Sequence, residues 1–420
     1  MRFNTLAEWL AWQESLHPKS IDLGLSRVKE VYGRLGQCKR LPFTITVGGT
    51  NGKGSCVAML DAILRREGYR VGTYTSPHLL RYNERIRIDG EPVTDDRICG
   101  AFERIERVRD ETTLSFFEFG TLAALDIFAA ADLDVQVLEV GLGGRLDAVN
   151  IIDADAALIA SIDFDHQDWL GDTRTAIGLE KAGIFRPGRP AVIGDIDVPA
   201  AVVRYAEEHD VPLSYPGRDF RYEIIGDSWN WLGRDKQLTD LPFPALKGDH
   251  QLINASAVLE TLHKVESRLP VSSLAIRDGL KNVTLAGRFQ YIPGSVPVLL
   301  DVAHNPQAVR VLADYLRCQF GGKTIHAVFA VMRDKDIFGV ISNIKDLVDY
   351  WYLAPLKMPR AATTEQLLAV FDSFGVSTVR SGFPDAVAAF NAARQSAASD
   401  HLILVFGSFF LVSEYLAHMS

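Results

Sequence analysis

VGGTNGKGS, Val47 to Ser55, is the stretch that decides how this chain is read. It follows a β-branched run, FTITV (Phe43–Val47), and leads into an apolar helical pattern from Cys56 to Leu64. The order is strand, glycine-rich turn, helix. Glycines let successive backbone N–H groups curl round an anion, and the next helix points the positive end of its dipole at the same place. Gly49, Thr50, Asn51, Gly52, Lys53, Gly54 and Ser55 are therefore the candidate contacts to a nucleotide phosphate. Lys53 would reach the outer phosphates, and Ser55 would offer a hydroxyl to a bound magnesium ion. The spacing departs from the common phosphate loop. Only Thr50 and Asn51 separate Gly49 from Gly52, and Gly54 stands between Lys53 and Ser55. The residues alone also allow a turn that binds nothing, although a lysine flanked by glycines after a strand has little packing purpose.

Outward from this turn, strands and helices alternate. Candidate strands are Val71–Tyr74, Val135–Val140, Ala156–Ile162, Ala191–Gly194, Val298–Asp301, Ala327–Val331, Tyr350–Leu353 and Leu402–Phe406. Most are continuous apolar runs, the pattern of strands buried on both faces of a parallel sheet. Thr121–Ala131 and Gln307–Arg317 read as helices between them. The expected fold is α/β and doubly wound: a phosphate-loop domain with a mostly parallel sheet, then a smaller Rossmann-like α/β domain. Phe220–Leu246 breaks the rhythm and reads as a β-hairpin region or irregular insert. A fresh strand–turn–helix series begins at Val296, which places a domain boundary near Gly287 and gives domains of 1–286 and 287–420.

Composition narrows the function classes. At 420 residues, 47% hydrophobic and 23% charged, the chain reads as an ordinary soluble globular protein. A net charge of −9 argues against broad binding of nucleic acid or an anionic membrane. Cys38, Cys56, Cys99 and Cys318 lack metal-ligand spacing and read as small apolar residues in a reducing compartment. No signal pattern opens the chain and no apolar run approaches membrane-spanning length. The expectation is a cytoplasmic protein, monomeric by default.

Charged residues collect where the strands end, which is where open α/β sheets place ligands. Glu139 closes VQVLEV just before the turn GLGGRLDA (Gly141–Ala148). Its carboxylate suits magnesium, or pairs structurally with Arg145. His166 sits in SIDFDHQDWLG among Asp163, Asp165 and Asp168, a loop that leaves metal binding and a bland histidine both open. Lys181, in LEKAGIFRPG, reads by itself as a surface lysine paired with Glu180 or a neighbour. Asp301, His304 and Asn305 lie in VLLDVAHNPQAV, with Asn305 as N-cap and Pro306 in the first turn. They fit either a ribose or phosphate edge or a simple capped loop.

Eight motifs in order give a resemblance: GTNGKGS, SPHLLRYNERIRIDG (Ser76–Gly90), FFEFGTLAAL (Phe116–Leu125), EVGLGGRLDAVN (Glu139–Asn150), DHQDWLGDT (Asp165–Thr173), EKAGIF (Glu180–Phe185), GRFQ (Gly287–Gln290) and DVAHNP (Asp301–Pro306). They resemble the folylpolyglutamate synthase family, most nearly its bacterial bifunctional dihydrofolate synthase/folylpolyglutamate synthase branch, within the wider Mur ligase superfamily. The likeness runs from IDLGLSRV (Ile21–Val28) to VFGSFFLV (Val405–Val412).

The resemblance implies an ATP-dependent carboxylate–amine ligase. ATP would phosphorylate a folate-type carboxylate, and the amine of L-glutamate would displace phosphate to form an amide. The substrates would be 7,8-dihydropteroate and reduced folates. The alternatives are polyglutamylation only, or another Mur-family amide ligation. By analogy Ser55, Ser76 and Glu139 would hold one magnesium ion, and His166 with Lys181 would serve a second. Lys181 would be carbamylated, which the residues alone do not suggest. Asn254 and Arg288 resemble ATP contacts, Asp301 would reach the nucleotide from the second domain, and His304 would lie near the phosphates, catalytic with Lys53 and Lys181. Pterin contacts would come from Asp22, Leu23, Gly24 and Leu25; from Ser115, Phe116, Phe117 and Glu118; and from Leu146, Asp147 and Ala148. Phe116 and Phe117 could stack on a flat ring. The phosphate loop begins near residue 48, and the expectation is therefore a chain without the extra N-terminal domain of the Mur ligases. A regulatory module without catalysis would lack a clamp or metal ligand, yet Lys53, Ser55, Glu139, His166 and Lys181 are all present.

Overall fold

Strand β1 (Phe43–Gly48) is buried from its second residue to its last, as a β-branched run in the middle of a parallel sheet must be. The computed structural model describes residues 2–19, 21–36 and 41–419; Cys38 lies outside them. With β1 stand β2 (Val71–Tyr74), β3 (Ile86–Ile88), β4 (Glu91–Pro92), β5 (Val135–Glu139), β6 (Ala156–Ile159), β7 (Ala191–Ile193) and β8 (Leu213–Ser214). Among the described residues they form an 8-stranded sheet ordered β4-β3-β2-β5-β1-β6-β7-β8. Only β3 and β4 pair antiparallel, at one edge. The chain leaves β1 through α3 (Lys53–Glu67) for β2, beyond β5, and later crosses from β5 over β1 to β6. The loops after β1, β5 and β6 therefore emerge side by side at the C-terminal edge, the crevice position of open α/β sheets.

Helices α1 (Leu6–Leu16), α2 (Ser26–Leu35), α4 (Asp95–Arg109) and α5 (Phe116–Ala129) pack together. Trp9 is fully buried among Phe3, Trp12 and Phe102. Ser115 and Glu118 form a capping box that fixes where α5 starts. Beyond β6 come α6 (Gln167–Leu170), α7 (Arg174–Ala182) and α8 (Ala200–Glu208). The segment read as a hairpin or irregular insert is an antiparallel sheet of β9 (Phe220–Ile225), β10 (Ser228–Gly233) and β11 (Gln237–Leu241). Trp229 and Trp231 alternate with half-buried neighbours and are fully buried on one face. Helices α9 (His250–Lys264) and α10 (Ser273–Asn282) follow.

A 6-stranded sheet ordered β12-β13-β17-β14-β15-β16 is built from β12 (Gln290–Ile292), β13 (Val298–Asp301), β14 (Ile325–Phe329), β15 (Tyr350–Leu353), β16 (Val379–Arg380) and β17 (Leu402–Phe406). All pair parallel except β12. Helices α11 (Pro306–Phe320), α12 (Ile337–Ile344), α13 (Thr364–Ser373), α14 (Ala386–Ser396) and α15 (Phe409–Met419) complete it. Phe329, Trp351, Phe371 and Phe406 fill its core.

The chain divides into two compact units. The first holds the chain up to Asp163, Gln167–Ala245 and Gln251–Thr284; the second holds Phe164–His166, Leu246–His250 and the chain from Leu285 on. The α/β reading with parallel-rich sheets holds, with three local corrections. β6 stops at Ile159 rather than Ile162, because Ser161 O accepts Thr50 N instead of joining the ladder. β14 is Ile325–Phe329 rather than Ala327–Val331. His326, polar but only 1% exposed, sits inside the strand with its ring nitrogens meeting Tyr352 and His401. Cys318 is exposed, whereas Cys56 and Cys99 are buried as expected of small apolar residues. Among the described residues no helix is long and apolar enough to cross a membrane.

Candidate functional site

At the end of β1, Val47 lies opposite Glu139 and Gly48 opposite Ile159. The glycine loop then turns in a way that other residues could not follow. Gly49 has φ +141, and a Cβ there would come 3.0 Å from Ala160 N; Gly52 has φ +87, and its Cβ would meet Asn254 Oδ1 at 2.7 Å. Thr50 N donates to Ser161 O at 2.8 Å. Thr50 Oγ1 donates to Asp163 O at 2.9 Å, and Asn51 N donates to Ser161 Oγ at 3.0 Å. Lys53 Nζ folds back over its own loop, donating to Gly49 O at 2.9 Å and Thr50 O at 3.0 Å. Asn254 reaches this loop from α9. Its Nδ2 donates to Gln251 Oε1 at 3.0 Å, and Gln251 Nε2 donates to Ser55 Oγ at 3.3 Å. Gln251 was missed in the sequence; its position one turn before Asn254 in HQLINA was the signal.

Glu139 is 5% exposed, and its Oε2 accepts Ser76 N at 3.2 Å, which brings these two predicted ligands together. Burial and the Glu139 charge push the neighbouring Cys56 thiol up to about 12. Arg145 pairs with Glu180 at 2.9 Å, so its structural partner is not Glu139. Lys181 is 3% exposed and is no surface lysine. A Cβ on Gly144 would lie 2.8 Å from Lys181 O, so the turn after β5 rests directly on the end of α7. Asn150 Nδ2 ties the two, donating to Arg145 O at 3.1 Å and Gly183 O at 3.0 Å. Asp147 accepts Leu142 N at 2.9 Å and Val149 N at 3.0 Å. Burial pushes its carboxyl up to about 7, against the backbone N–H groups and the charge of Lys53.

All three segments read as pterin contacts lie in the first unit, and two side chains link them. The Phe117 ring lies over Gly141, where a Cβ would come 2.6 Å from it, joining Ser115–Glu118 to the turn that carries Leu146, Asp147 and Ala148. Arg27 joins Ser115–Glu118 to Asp22–Leu25. Phe116 stands edge-on to Tyr82 at 5.7 Å and, like Phe117, is half-buried.

The other predicted residues lie in the second unit. Asp301, 5% exposed, accepts Phe289 N at 3.0 Å and Ala303 N at 2.8 Å. Burial raises its pKa, against the charge of Arg288 and those N–H groups. Arg288 lies 5.0 Å from the Phe409 ring centre. His304 Nδ1 meets Val302 O at 2.8 Å, and its Nε2 is 3.7 Å from Asp165 Oδ2. Asn305 caps α11 through Ala308 N, as its motif predicts. Asp165 is the hub that the sequence did not single out. Lys335 Nζ donates to Asp165 Oδ1 at 2.6 Å and Asn305 Nδ2 donates to its Oδ2 at 3.3 Å. Burial favours its neutral acid. The nearby His304 ring and the charges of His166 and Lys335 outweigh this and hold the carboxyl well below the usual range. Ser55, Ser76, Glu139, Lys181 and Asn254 thus belong to one unit, and His166, Arg288, Asp301 and His304 to the other.

Residues 287–409 match the family described as Mur ligase, glutamate ligase domain. Over 411 residues the chain is 43% identical to the dihydrofolate synthase/folylpolyglutamate synthase of Escherichia coli strain K12, covering 98% of this chain and 94% of that protein. The structure of Escherichia coli FolC in complex with DHPP and ADP matches with a TM-score of 0.93 at 42% identity, covering 99% of this chain and 98% of that one. A bifunctional folylpolyglutamate synthase/dihydrofolate synthase with Mn, AMPPNP and L-glutamate bound matches with a TM-score of 0.91 at 44% identity, with 99% and 98% covered.

Proposed function

The chain belongs to the dihydrofolate synthase/folylpolyglutamate synthase family, and on that premise we propose that it uses ATP to ligate L-glutamate to dihydropteroate, giving dihydrofolate, and to reduced folates. The observation that carries this reading is the likeness, over 99% of the chain, to a protein holding DHPP and ADP. A free carboxylate is a poor electrophile. Phosphorylation turns it into an acyl phosphate that the glutamate amine attacks, releasing phosphate and leaving an amide. The transferring phosphoryl group carries charge that must be neutralised. Lys53 already lies on the glycine loop, 2.9 Å from Gly49 O, and exchanging carbonyl partners for phosphate oxygens makes it the clamp.

We assign Gly49 to Ser55, Asn254, Arg288 and Asp301 to ATP, and His304 to the phosphates. Magnesium prefers hard oxygen ligands, and the hydroxyl of Ser55 with the buried carboxylate of Glu139 fits that chemistry. Among the described residues no three His, Cys, Asp or Glu side chains converge on a metal position, so hydroxyls, waters and phosphate oxygens would complete the shell. A bound magnesium ion adds positive charge at the phosphoryl oxygens. Ser55, Ser76 and Glu139 would hold one such ion, and His166 with Lys181 a second. Lys181, 3% exposed, would take up carbon dioxide through its amine to become a carbamate, which supplies the oxygen ligands magnesium prefers. Asp22–Leu25, Ser115–Glu118 and Leu146–Ala148 are assigned to the pterin. We further propose a cytoplasmic monomer, with residues 1–286 as the ATP-binding domain and 287–420 as the C-terminal ligase domain.

The test is phosphate release by purified protein with ATP, magnesium and L-glutamate, comparing dihydropteroate with tetrahydrofolate. Release with both supports the reading. Release with tetrahydrofolate alone reduces the chain to polyglutamylation, and release with neither refutes ligase activity on pteroyl substrates.

A further inference from the structure

Arg27 lies outside every segment assigned to a substrate, yet it ties two of them together. From the first turn of α2 its Nη1 lies 2.7 Å from Asp22 Oδ2. Its Nη2 donates to Asp22 O at 2.9 Å and to Glu118 Oε1 at 3.1 Å. Each carboxylate is held from a second side. Asp22 Oδ2 also meets His17 Nε2 at 3.1 Å, while His17 Nδ1 meets Thr113 Oγ1 at 2.9 Å. Hydrogen bonding from His17, with the charges of Arg27 and Lys19, holds Asp22 below the ordinary carboxylate range. Glu118 Oε2 accepts Ser115 N at 2.8 Å, the return bond of its capping box.

The residue type matters. A guanidinium presents donors in several directions from one rigid plane, whereas an ammonium is a single point charge. Only the former can hold Asp22 and Glu118 at once with a fixed angle between them. Glu118 is 3% exposed, and among the described residues Arg27 is the cation paired with it. Arg27 Nε is buried with no acceptor among the described residues, so the side chain is not fully satisfied by its structural partners. The contacts described above for Lys53, Ser55 and Glu139 lie elsewhere.

We propose that Arg27 is a positioning residue for the pteroyl substrate: it fixes the loop Asp22–Leu25 against the start of α5, so that both segments and Phe116 present one surface to a flat heteroaromatic ring. The inference rests on the assignment of these two segments to the pterin. It separates substrate affinity from phosphoryl transfer, because the network contains no member of the phosphate loop.

The experiment is steady-state kinetics of Arg27→Lys and Arg27→Ala with dihydropteroate and ATP varied in turn, alongside thermal unfolding. Arg27→Lys keeps a positive charge beside Glu118 and so keeps the fold, but its compact, flexible ammonium lacks the rigid fork that holds Asp22 and Glu118 at a fixed angle. Losing one charge-assisted hydrogen bond should raise KM for dihydropteroate about tenfold, with kcat within about threefold and KM for ATP unchanged. Arg27→Ala should raise it further and also lower the unfolding midpoint, since it leaves Glu118 buried and unpaired. An unchanged KM for dihydropteroate in Arg27→Lys, with an active wild type, would overturn the role of Arg27 alone. So would a fall in kcat and a rise in KM for ATP that keep step with it. A wild type inactive with both dihydropteroate and tetrahydrofolate would overturn the functional reading and this one with it.

Discussion

Gly52→Ala and Gly68→Ala place the same methyl group at the two ends of α3, and the structure predicts different outcomes. Both glycines are left-handed, with φ +87 at Gly52 and φ +102 at Gly68. Forcing alanine into that region costs roughly 1–2 kcal/mol at either site. At Gly68 the new Cβ meets nothing within 4 Å, so strain is the whole effect. At Gly52 it would lie 2.7 Å from Asn254 Oδ1 and 3.2 Å from Ala160 Cβ. Asn254 must move, and its bond to Gln251 at 3.0 Å is lost, adding about 1 kcal/mol. The expected destabilisation is about 2–3 kcal/mol for Gly52→Ala against about 1–2 kcal/mol for Gly68→Ala. Function should diverge more sharply than stability. Calorimetric titration with magnesium–ADP should show binding weakened about tenfold or more in Gly52→Ala and by less than about twofold in Gly68→Ala. Equal nucleotide affinity in the two variants would refute the reasoning, since it would mean that the loop and Asn254 do not form the nucleotide site.

Lys53→Ala should lose at least about 2.7 kcal/mol of transition-state stabilisation, roughly a hundredfold in kcat, while the circular dichroism spectrum is retained; wild-type turnover would rule out the clamp. Lys181→Ala should be inactive and partly restored by acetate, and wild-type activity should fall when carbon dioxide is stripped and return with bicarbonate; indifference to carbon dioxide would exclude the carbamate. Burial, with the charges of His401 and Arg380, pulls His326 from 6.5 down to about 4, against Asp349. The folded form therefore resists a proton that the unfolded chain accepts, so this stabilisation is present above pH 6.5 and lost as pH falls towards 4, by about 3 kcal/mol. Urea midpoints should drop over that window and drop less steeply in His326→Gln; identical slopes would count against it.

The sheet frame was legible because its strands are continuous apolar runs and its turns are marked by glycine. Strand ends were not. Ser161 looks like strand until Thr50 takes its carbonyl, and His326 looks like a strand boundary until Tyr352 and His401 accept it into the interior. The site divides in the same way. Lys53, Ser55 and Glu139 stand out because their chemistry sits at a strand end beside glycines. Arg27 sits in SRVKEVYGRL, where a charge reads as solvated helix surface, and Asp165 is one acid among several in its loop. Their meaning comes from partners distant in sequence, Glu118 for one and Lys335 for the other. Lys181 shows the reverse: local sequence pointed to the surface, and the close contact of Gly144 with its backbone shows why it is buried.

The second unit is not a single stretch of chain, and this has a consequence for anyone dividing the gene. The family match covers 287–409, which invites excision of that block as a self-standing fragment. Lys335, with a side chain 8% exposed, takes its anion from Asp165, which lies far upstream. A fragment beginning at Leu285 would strand that ammonium in the interior at a cost of about 3 kcal/mol or more. It would also lack the Leu246–His250 segment that belongs to the same unit. The evolutionary module and the folding module therefore have different edges. A split version of this protein should fold only when the first piece carries Asp165 back to its lysine, a built-in complementation signal that Asp165→Asn would silence.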